Sequence, residues 1–474
     1  MRFREPARLL TRVMARLSPA VVREWLTRGS TPRRLLERYL SGGALVLSVL
    51  TFGGYAMGLV RDRIFARTFG VGGELDAYNA AFVLPELTLD VVVASGLTAP
   101  FVPIFLQLRR DGADAERFAQ TIVTAAVVVM AAASAVMFVA APATASLVAP
   151  GFGPEQREQY VGLFRTMLLT PVIFAASFAV GEVLVAERRF VSYGLAPLMY
   201  NAGIVIGTVA LSARIGIHAA AAGAVAGALL HLGTRLWGLR RSTVRVRLAF
   251  AVRTRAVREF ARLMLPKMAG QPIEPATFLY FTLVASTLGA GSVTAVSFAR
   301  NFQSVPVSLI GVAFSLAAFP ALSSAHAAGD RRRFVRTLGA NLVTVSVLTA
   351  AAGAFLFAFS RWVISTLLGG GAMDGDAVAL TSATLSAFAV SVPFESLTQV
   401  LSRAIYATRH TLLQVVASLA SLGVTVVATA LLAPLAGVVA IPIGFTVGMA
   451  VKVVLLAAVV AWRLRRAPRP LRSE

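Results

Sequence analysis

The sequence contains no cysteine, few histidines and few charged residues, and each shortage excludes a class of function. Without cysteine among its 474 residues, the chain has no disulfide framework, thiol nucleophile or thiolate metal site. The histidines are scattered, and no histidine pair, glycine-rich phosphate loop or Ser/His/Asp arrangement is present. We therefore predict a protein that is not an enzyme and that holds no metal and no organic cofactor.

Charged residues make up only 14% of the chain, whereas apolar residues make up 57% and fall into long runs. A membrane span needs about 20 mostly apolar residues, and about twelve segments meet that requirement. They are residues 41–69, 77–106, 118–147, 158–186, 191–213, 217–239, 263–287, 292–325, 334–367, 378–406, 411–432 and 434–462. The sequence therefore predicts an all-α polytopic membrane protein.

Acidic residues are scarce, with 22 Asp and Glu against 45 Lys and Arg. Arginines crowd into every second loop, at residues 1–38, 109–117, 188–189, 240–262, 331–336 and 403–409 and after residue 462. Positive charge marks the cytoplasmic side of a membrane protein. We predict a bacterial inner-membrane protein with both termini in the cytoplasm. The basic loops are expected to contact anionic membrane lipids, not nucleic acid.

The first 40 residues are basic, and their apolar positions recur at helical spacing between arginines. This pattern favours an amphipathic helix on the cytoplasmic leaflet over a cleaved signal peptide, and a disordered basic tail is the alternative. The predicted organisation is an N-terminal segment 1–40, an N-lobe 41–240, a basic linker 241–262, a C-lobe 263–462 and a basic tail 463–474.

A weak internal repeat divides the spans into two groups of six. Span 2 carries Pro85, and span 8 carries Pro306. The ends of these spans also match, because Pro103, Gly112 and Phe118 in the first recur as Pro320, Gly329 and Phe334 in the second. Two parallel six-helix lobes can rock about a shared central site, which is typical of a transporter. Chance recurrence of proline and glycine is the alternative.

Charges inside spans mark the candidate site, because they are costly unless they face a protein interior or a wet cavity. Span 1 carries Arg61, Asp62 and Arg63, and span 8 carries Arg300. Helical rise places both groups roughly 12 to 14 Å below the outer surface. Arg61 and Arg300 are therefore expected to face each other across the two lobes. The alternative for span 1 is a self-satisfied cluster near the interface.

Span 2 supplies charge of the opposite sign. At helical spacing, Asp76, Asn79, Glu86 and Asp90 fall within an arc of about 80°. Glu274, between two prolines in span 7, adds a further carboxylate. We predict a polar cavity of mixed sign, with structural pairing of the span-2 carboxylates to Arg61 and Arg63 as the alternative. Two other charges within spans, Glu395 and Lys452, are expected to pair structurally.

Several motifs resemble the MurJ (MviN) lipid II flippases of the MOP exporter superfamily. They are Gly58-Leu59-Val60-Arg61-Asp62, Ala66-Arg67-Thr68-Phe69-Gly70, Asp76-Ala77-Tyr78, Leu84-Pro85 and Phe101-Val102-Pro103 in spans 1 and 2, and Ala299-Arg300, Gly311-Val312-Ala313 and Phe319-Pro320-Ala321-Leu322-Ser323 in span 8. The resemblance implies a MOP-type fold of two six-helix lobes. It also implies alternating-access transfer of a lipid-linked, diphosphate-bearing peptidoglycan precursor to the outer leaflet.

The resemblance also implies that Arg61, Asp76 and Arg300 are charged cavity residues. With Arg63, which lies beside Arg61, they are expected to bind substrate. The other charges within spans, Asp62, Glu86, Asp90 and Glu274, are expected to line the cavity or bind a coupling ion, Na⁺ or H⁺. Arginine's planar fork suits the oxygens of a diphosphate. The chain has Tyr55, Leu89 and Asp90 where the family pattern has arginines. Family members also commonly have fourteen helices.

Three alternatives remain at this point. An exporter of another lipid-linked oligosaccharide would accommodate the altered arginines. A cation-coupled multidrug exporter would use the acidic positions Asp76, Glu86 and Asp90. A scaffold that does not transport would instead recruit cell-wall synthesis proteins through its basic tails.

Overall fold

A computed structural model describes residues 42–94, 97–270, 273–408 and 412–466. Within these residues the regular structure is helical. The α-helices are α1 Gly42–Phe69, α2 Gly73–Leu89, α3 Thr98–Arg110, α4 Ala115–Val139, α5 Ala141–Val148, α6 Pro154–Met167, α7 Leu169–Ala186, α8 Phe190–Ile215, α9 His218–Leu239, α10 Arg255–Gly270, α11 Ile273–Ser286, α12 Ser292–Pro306, α13 Ala313–Ala327, α14 Arg331–Leu367, α15 Gly375–Ala389, α16 Val392–Ala407, α17 Leu412–Ala436 and α18 Ala440–Arg466. The predicted N-terminal segment 1–40 and most of the tail 463–474 lie outside the described residues.

The helices coincide with the predicted apolar segments to within a few residues, but several segments are broken into two helices. By length and composition, seven helical stretches of the described residues can cross a membrane, or eight if the bent pair α15 and α16 is one span. The chain is therefore a multi-pass membrane protein. The count of twelve spans stays a prediction.

The internal repeat is visible in the local geometry. A π-helical turn follows α2 at Asp90–Ala94, and another follows α12 at Val307–Val312. The turns after α3 and α13 also match, since Gly112 and Gly329 both have φ of +67° and so adopt the left-handed conformation that favours glycine. We call α1–α9 the N-half and α11–α18 the C-half.

Each half also contains one very close helix pair. In the N-half, α8 and α9 meet where Gly203 packs against the backbone of Gly227, and a Cβ on either residue would collide with the other helix. In the C-half, α17 and α18 meet where Ser421 donates a hydrogen bond of 2.8 Å to the carbonyl of Gly448. Small residues allow such approach between membrane helices, where lipid is as apolar as the side chains.

The linker between the halves packs against the N-half. Helix α10 begins at Arg255, inside the predicted linker 241–262. Its Val257 and Phe260 are buried in the core of the N-half, with the Phe260 ring 6.1 Å from that of Phe118. Packing of this apolar face against α3 and α4 explains why the linker becomes helical before the next predicted span.

Among the described residues, the arginine-rich loops near residues 109–117, 188–189, 240–254 and 331–336 lie at one end of the helices, which we call the arginine-rich end. The opposite, arginine-poor end holds the turns at residues 70–72, 149–153, 287–291 and 368–374. The two halves share a core near this opposite end, where Phe65 and Tyr78 of the N-half belong to the same cluster as Phe281 and Phe298 of the C-half. The arrangement leaves space between the halves farther toward the arginine-rich end.

Candidate functional site

A cavity of about 790 Å³ lies between the two halves. Both halves contribute polar side chains to its wall, namely Arg61, Asp62, Tyr78, Asn79, Glu86, Asp90 and Tyr200 from the N-half and Thr282, Ser297, Arg300, Asn301 and Ser304 from the C-half. Aromatic rings such as Phe82 and Phe278 cover part of the remaining wall. The cavity therefore combines apolar surface with charge of both signs, as a site for an amphiphilic molecule requires.

Arg61 lies in α1, eight residues before its end at Phe69, and reaches the cavity as predicted. Its guanidinium donates two hydrogen bonds to Asp62 Oδ1, at 3.0 and 2.7 Å, and one of 3.2 Å to Asn201. The other oxygen of Asp62 accepts a bond of 2.9 Å from Asn301 of the C-half. Asp62 thus links the arginine of one half to the other half.

Arg300 lies in α12 and also reaches the cavity. It forms a two-pronged ion pair with Glu395 of α16, at 2.8 and 2.6 Å, and its side chain is 15% exposed against 13% for Glu395. Gln303, which bonds Arg300, donates a further bond of 2.9 Å to Glu395. Both cavity arginines are therefore neutralised by a carboxylate, which limits the cost of placing them within the membrane.

Glu86 and Asp90 line the same cavity from the N-half, with exposed side chains. Asp90 opens the π-helical turn that follows α2. Among the described residues no ion pair is recorded for either carboxylate. The structure thus brings together Arg61, Asp62, Glu86, Asp90 and Arg300, five of the eight predicted site residues.

Two predicted substrate-binding residues lie elsewhere, which corrects their expected placement. Arg63 donates bonds of 2.9 and 2.7 Å to the carbonyls of Thr366 and Leu367, because two residues along a helix turn it roughly 200° from Arg61. Asp76 is 1% exposed and does not line the cavity. The side chain of Glu274 lies outside the described residues.

Asp76 instead caps a helix of the opposite half. Its carboxylate accepts bonds of 2.6 Å from the Gly291 N–H, 2.7 Å from the Thr294 N–H and 2.7 Å from the Thr294 hydroxyl. These groups belong to the first turn of α12, whose N–H groups lack helical partners and favour a negative charge. Asp76 therefore holds the two halves together.

Besides the Asp62–Asn301 bond in the cavity and a bond of 3.2 Å from Asn79 to Thr294, further hydrogen bonds between the halves lie near the arginine-poor end. Arg67 donates to the carbonyl of Gly369 at 3.1 and 3.0 Å, and its own carbonyl accepts a bond of 2.9 Å from the Ala372 N–H. The Gly151 N–H donates a bond of 3.3 Å to Ser286. We call the cross-half contacts of Arg63, Arg67, Asp76 and Gly151 the latch. No hydrogen bond between the halves is recorded at the arginine-rich end among the described residues.

Sequence reasoning missed three polar residues of the cavity wall, Tyr200, Thr282 and Asn301, and also Asn201, which bonds Arg61 from outside the wall. Asn201 and Asn301 are the partners of Arg61 and Asp62, and the Tyr200 hydroxyl is buried without a hydrogen-bond partner. The available signal was an uncharged polar residue within an otherwise apolar span. That signal is weak, since many such residues in this chain bond only to their own helix.

A family model described as "Lipid II flippase MurJ" matches residues 65–469. The chain belongs to the MurJ lipid II flippase family. A lipid II flippase MurJ of Burkholderia cenocepacia is 25% identical over 430 residues, covering 87% of this chain and 83% of that protein. A probable lipid II flippase MurJ of Thermotoga maritima is 28% identical over 369 residues, covering 77% and 74%.

Solved structures agree on the MOP-type fold. A MurJ lipid II flippase in an inward closed conformation matches with a TM-score of 0.77 and 21% identity, covering 88% of this chain and 87% of that one. An inward-facing multidrug-resistance MATE transporter of the MOP superfamily matches with a TM-score of 0.72 and 15% identity, covering 89% and 98%. The predicted fold class of two parallel helical lobes and the predicted family are thus confirmed.

Proposed function

We propose that the chain is a flippase that moves an undecaprenyl-diphosphate-linked, lipid II-like cell-wall precursor across the membrane by alternating access. The observation that carries the proposal is the cavity between the halves, which presents Arg61 from one half and Arg300 from the other. Membership of the MurJ family supports the same substrate class. A volume of about 790 Å³ falls in the range of ligand-binding cavities.

Substrate binding is proposed to proceed by exchange of partners. In the free cavity Asp62 and Glu395 hold the two guanidinium groups. A diphosphate offers several oxygens in the geometry that a guanidinium prefers, so it can replace one or both carboxylates. The released carboxylates then gain hydrogen bonds elsewhere or face water, and the bound arginines bridge the two halves through the substrate.

The latch sets the direction of access. Because the halves are joined near the arginine-poor end, we propose that the cavity in this state opens toward the arginine-rich end, on the side of the exposed Glu86 and Asp90. Basic loops favour the cytoplasm, so we propose that this is the cytoplasmic face of a bacterial inner membrane and that both termini lie there. Opening of the latch would then release the substrate to the outer leaflet.

The remaining roles follow from this scheme. Na⁺ or H⁺ is the proposed coupling ion, with Glu86 and Asp90 as the cavity carboxylates that can respond to it. The protein works as a transporter without catalysis, beside anionic lipids and with cell-wall synthesis proteins as proposed partners. The family match and curated relatives do not favour the alternative exporters of other lipid-linked oligosaccharides or of drugs.

Rescue of a flippase-depleted bacterium tests the proposal. The wild-type chain is expected to restore growth, and Arg61→Ala and Arg300→Ala are expected to abolish rescue at normal protein levels. Arg165→Ala serves as the matched control, because Arg165 lies outside the cavity wall and, within the described part of the chain, donates to the carbonyl of Phe138. Full rescue by both cavity variants would contradict the proposal.

A further inference from the structure

Part of the linker at the arginine-rich end, residues 244–252, contains neither helix nor strand and ends in a turn; we call it the strap. Its backbone is held by side chains of α4. The Arg245 N–H donates a bond of 2.9 Å to Glu116, the Arg245 carbonyl accepts one of 2.7 Å from Gln120, and the Ala249 N–H donates one of 3.2 Å to Thr124. The strap is therefore fixed to a helix long and apolar enough to cross the membrane.

The spacing of these bonds gives the direction of the strap. Glu116, Gln120 and Thr124 are four residues apart and so lie on one face of α4. Arg245 is bonded to both Glu116 and Gln120, and Ala249 is bonded to Thr124, so the strap advances along α4 in the direction of the helix. The corresponding helix length is about 6 to 12 Å. The strap therefore runs from the arginine-rich end along a helix that can cross the membrane.

The strap turns an apolar edge away from the protein. Leu248 is 81% exposed and Phe250 is 70% exposed, and Val246 and Val252 are also exposed. Where the chain is extended, alternate side chains share one side, so Val246, Leu248 and Phe250 face the same way. Val244 just before them is buried in the N-half core, and Val252 lies in the turn that ends the strap. Both ends of the segment are anchored, at the α4 side chains and at the buried face of α10, so the edge projects where water or lipid must cover it.

The depth of this edge indicates lipid. Thr124 lies nine residues after the start of α4 at Ala115, or about 13 Å along the helix. Each headgroup region of a bilayer is roughly 6 Å thick, so a segment at this depth reaches the boundary of the hydrocarbon. Basic side chains flank the edge, and those exposed near it are Arg245, Arg247 and Arg253. Apolar tips with flanking arginines are typical of segments that lie in an anionic leaflet.

We propose that the strap is a membrane wedge that inserts Leu248 and Phe250 among the acyl chains of anionic phospholipids. Arg245, Arg247 and Arg253 bind the phosphate groups of the same lipids. The strap thereby anchors the linker between the two halves to the leaflet at the arginine-rich end. This role goes beyond the proposed transport function, since it concerns bulk lipid and a surface outside the cavity.

The lack of cysteine makes a direct test possible, because a single introduced cysteine reports without background. Full-length Leu248→Cys and Phe250→Cys are reconstituted in vesicles of phosphatidylcholine and phosphatidylglycerol, with water-soluble maleimide on both sides. Both are expected to react about tenfold more slowly than Thr243→Cys, an exposed position just before the strap. A fluorophore at either position is expected to be quenched by brominated lipids, as at Val129→Cys on the exposed apolar face of α4.

Two results would overturn the wedge. Rates equal to that of Thr243→Cys would place the edge in water. Slow reaction without quenching by brominated lipids would mean that protein, such as a second copy of the chain, covers it. Both outcomes are independent of transport.

A second measurement tests the arginines. The fluorophore at Phe250→Cys is expected to be quenched more by brominated phosphatidylglycerol than by brominated phosphatidylcholine. Replacing Arg245, Arg247 and Arg253 together by Gln is expected to remove this preference, whereas the same change at the exposed arginines 331–333 of another basic loop is expected to keep it. Equal loss in both triple variants would contradict phosphate binding by the strap.

Discussion

If a diphosphate replaces Glu395 as the partner of Arg300, then removing the charge of Glu395 should strengthen diphosphate binding. Removing a carboxylate that itself binds substrate would weaken binding. Replacing Glu395 by Gln removes the charge that holds Arg300 in the free cavity while leaving groups that can still hydrogen bond. A charge pair at contact distance contributes between about 1 kcal/mol in water and about 4 kcal/mol at an effective dielectric constant near 20. In a polar cavity we expect an intermediate value of about 2 kcal/mol, so a diphosphate should bind about thirtyfold more tightly.

The assay is the dissociation constant of undecaprenyl diphosphate for the full-length protein in nanodiscs, measured by fluorescence. Glu86→Gln is the matched control, because Glu86 lines the same cavity without a recorded ion pair to an arginine, and its effect should stay below about threefold. Thermal melting monitors the fold, since removing one partner of a well-buried ion pair can cost about 3 to 5 kcal/mol. Unchanged or weaker binding by a stable Glu395→Gln protein would refute exchange at Arg300.

Three further predictions separate binding from architecture. In the same binding assay, Arg63→Ala should leave the diphosphate affinity unchanged. Arg61→Ala should lower that affinity about tenfold or more, because each charged hydrogen bond contributes about 1.5 to 3 kcal/mol. Equal effects of the two variants would contradict the assignment of Arg63 to the latch. Asp76→Asn should weaken the latch by a similar energy and make the cavity more accessible from the arginine-poor end. The measurement is labelling of a cysteine introduced at Ser297, in the cavity wall, by an impermeant maleimide; unchanged labelling would count against the capping role of Asp76. Gly203→Ala should destabilise the protein by about 1 to 3 kcal/mol in thermal melting, whereas Gly233→Ala, with open space at its Cβ position, should not.

Much of the fold follows from local rules that operate along the chain. Apolar length defines the spans, arginine distribution defines their ends, and matching residues such as Pro85 and Pro306 indicate the repeat. Counting residues from the outer end of each span predicts that Arg61 and Arg300 lie at the same depth, and both line the cavity. These features need no knowledge of which helices touch.

The errors arise where a residue's role depends on a distant partner. Asp76 fitted an acidic stripe with Glu86 and Asp90, yet it caps a helix more than 200 residues away. A π-helical turn begins at Asp90 and changes the helical period of the residues that follow it. No residue pattern in the sequence predicts this turn. Arg63 was grouped with Arg61 by proximity in sequence, although their side chains point to different sides of α1.

The central claim is that the cavity moves a diphosphate-linked lipid between leaflets, and transbilayer movement measures this directly. In vesicles containing a fluorescent lipid II analogue, the wild-type chain is expected to bring the analogue from the inner to the outer leaflet faster than protein-free vesicles do. The combined Arg61→Ala and Arg300→Ala variant should fall to the protein-free rate. A wild-type rate no faster than that of empty vesicles, or full activity of the double variant, would contradict the account.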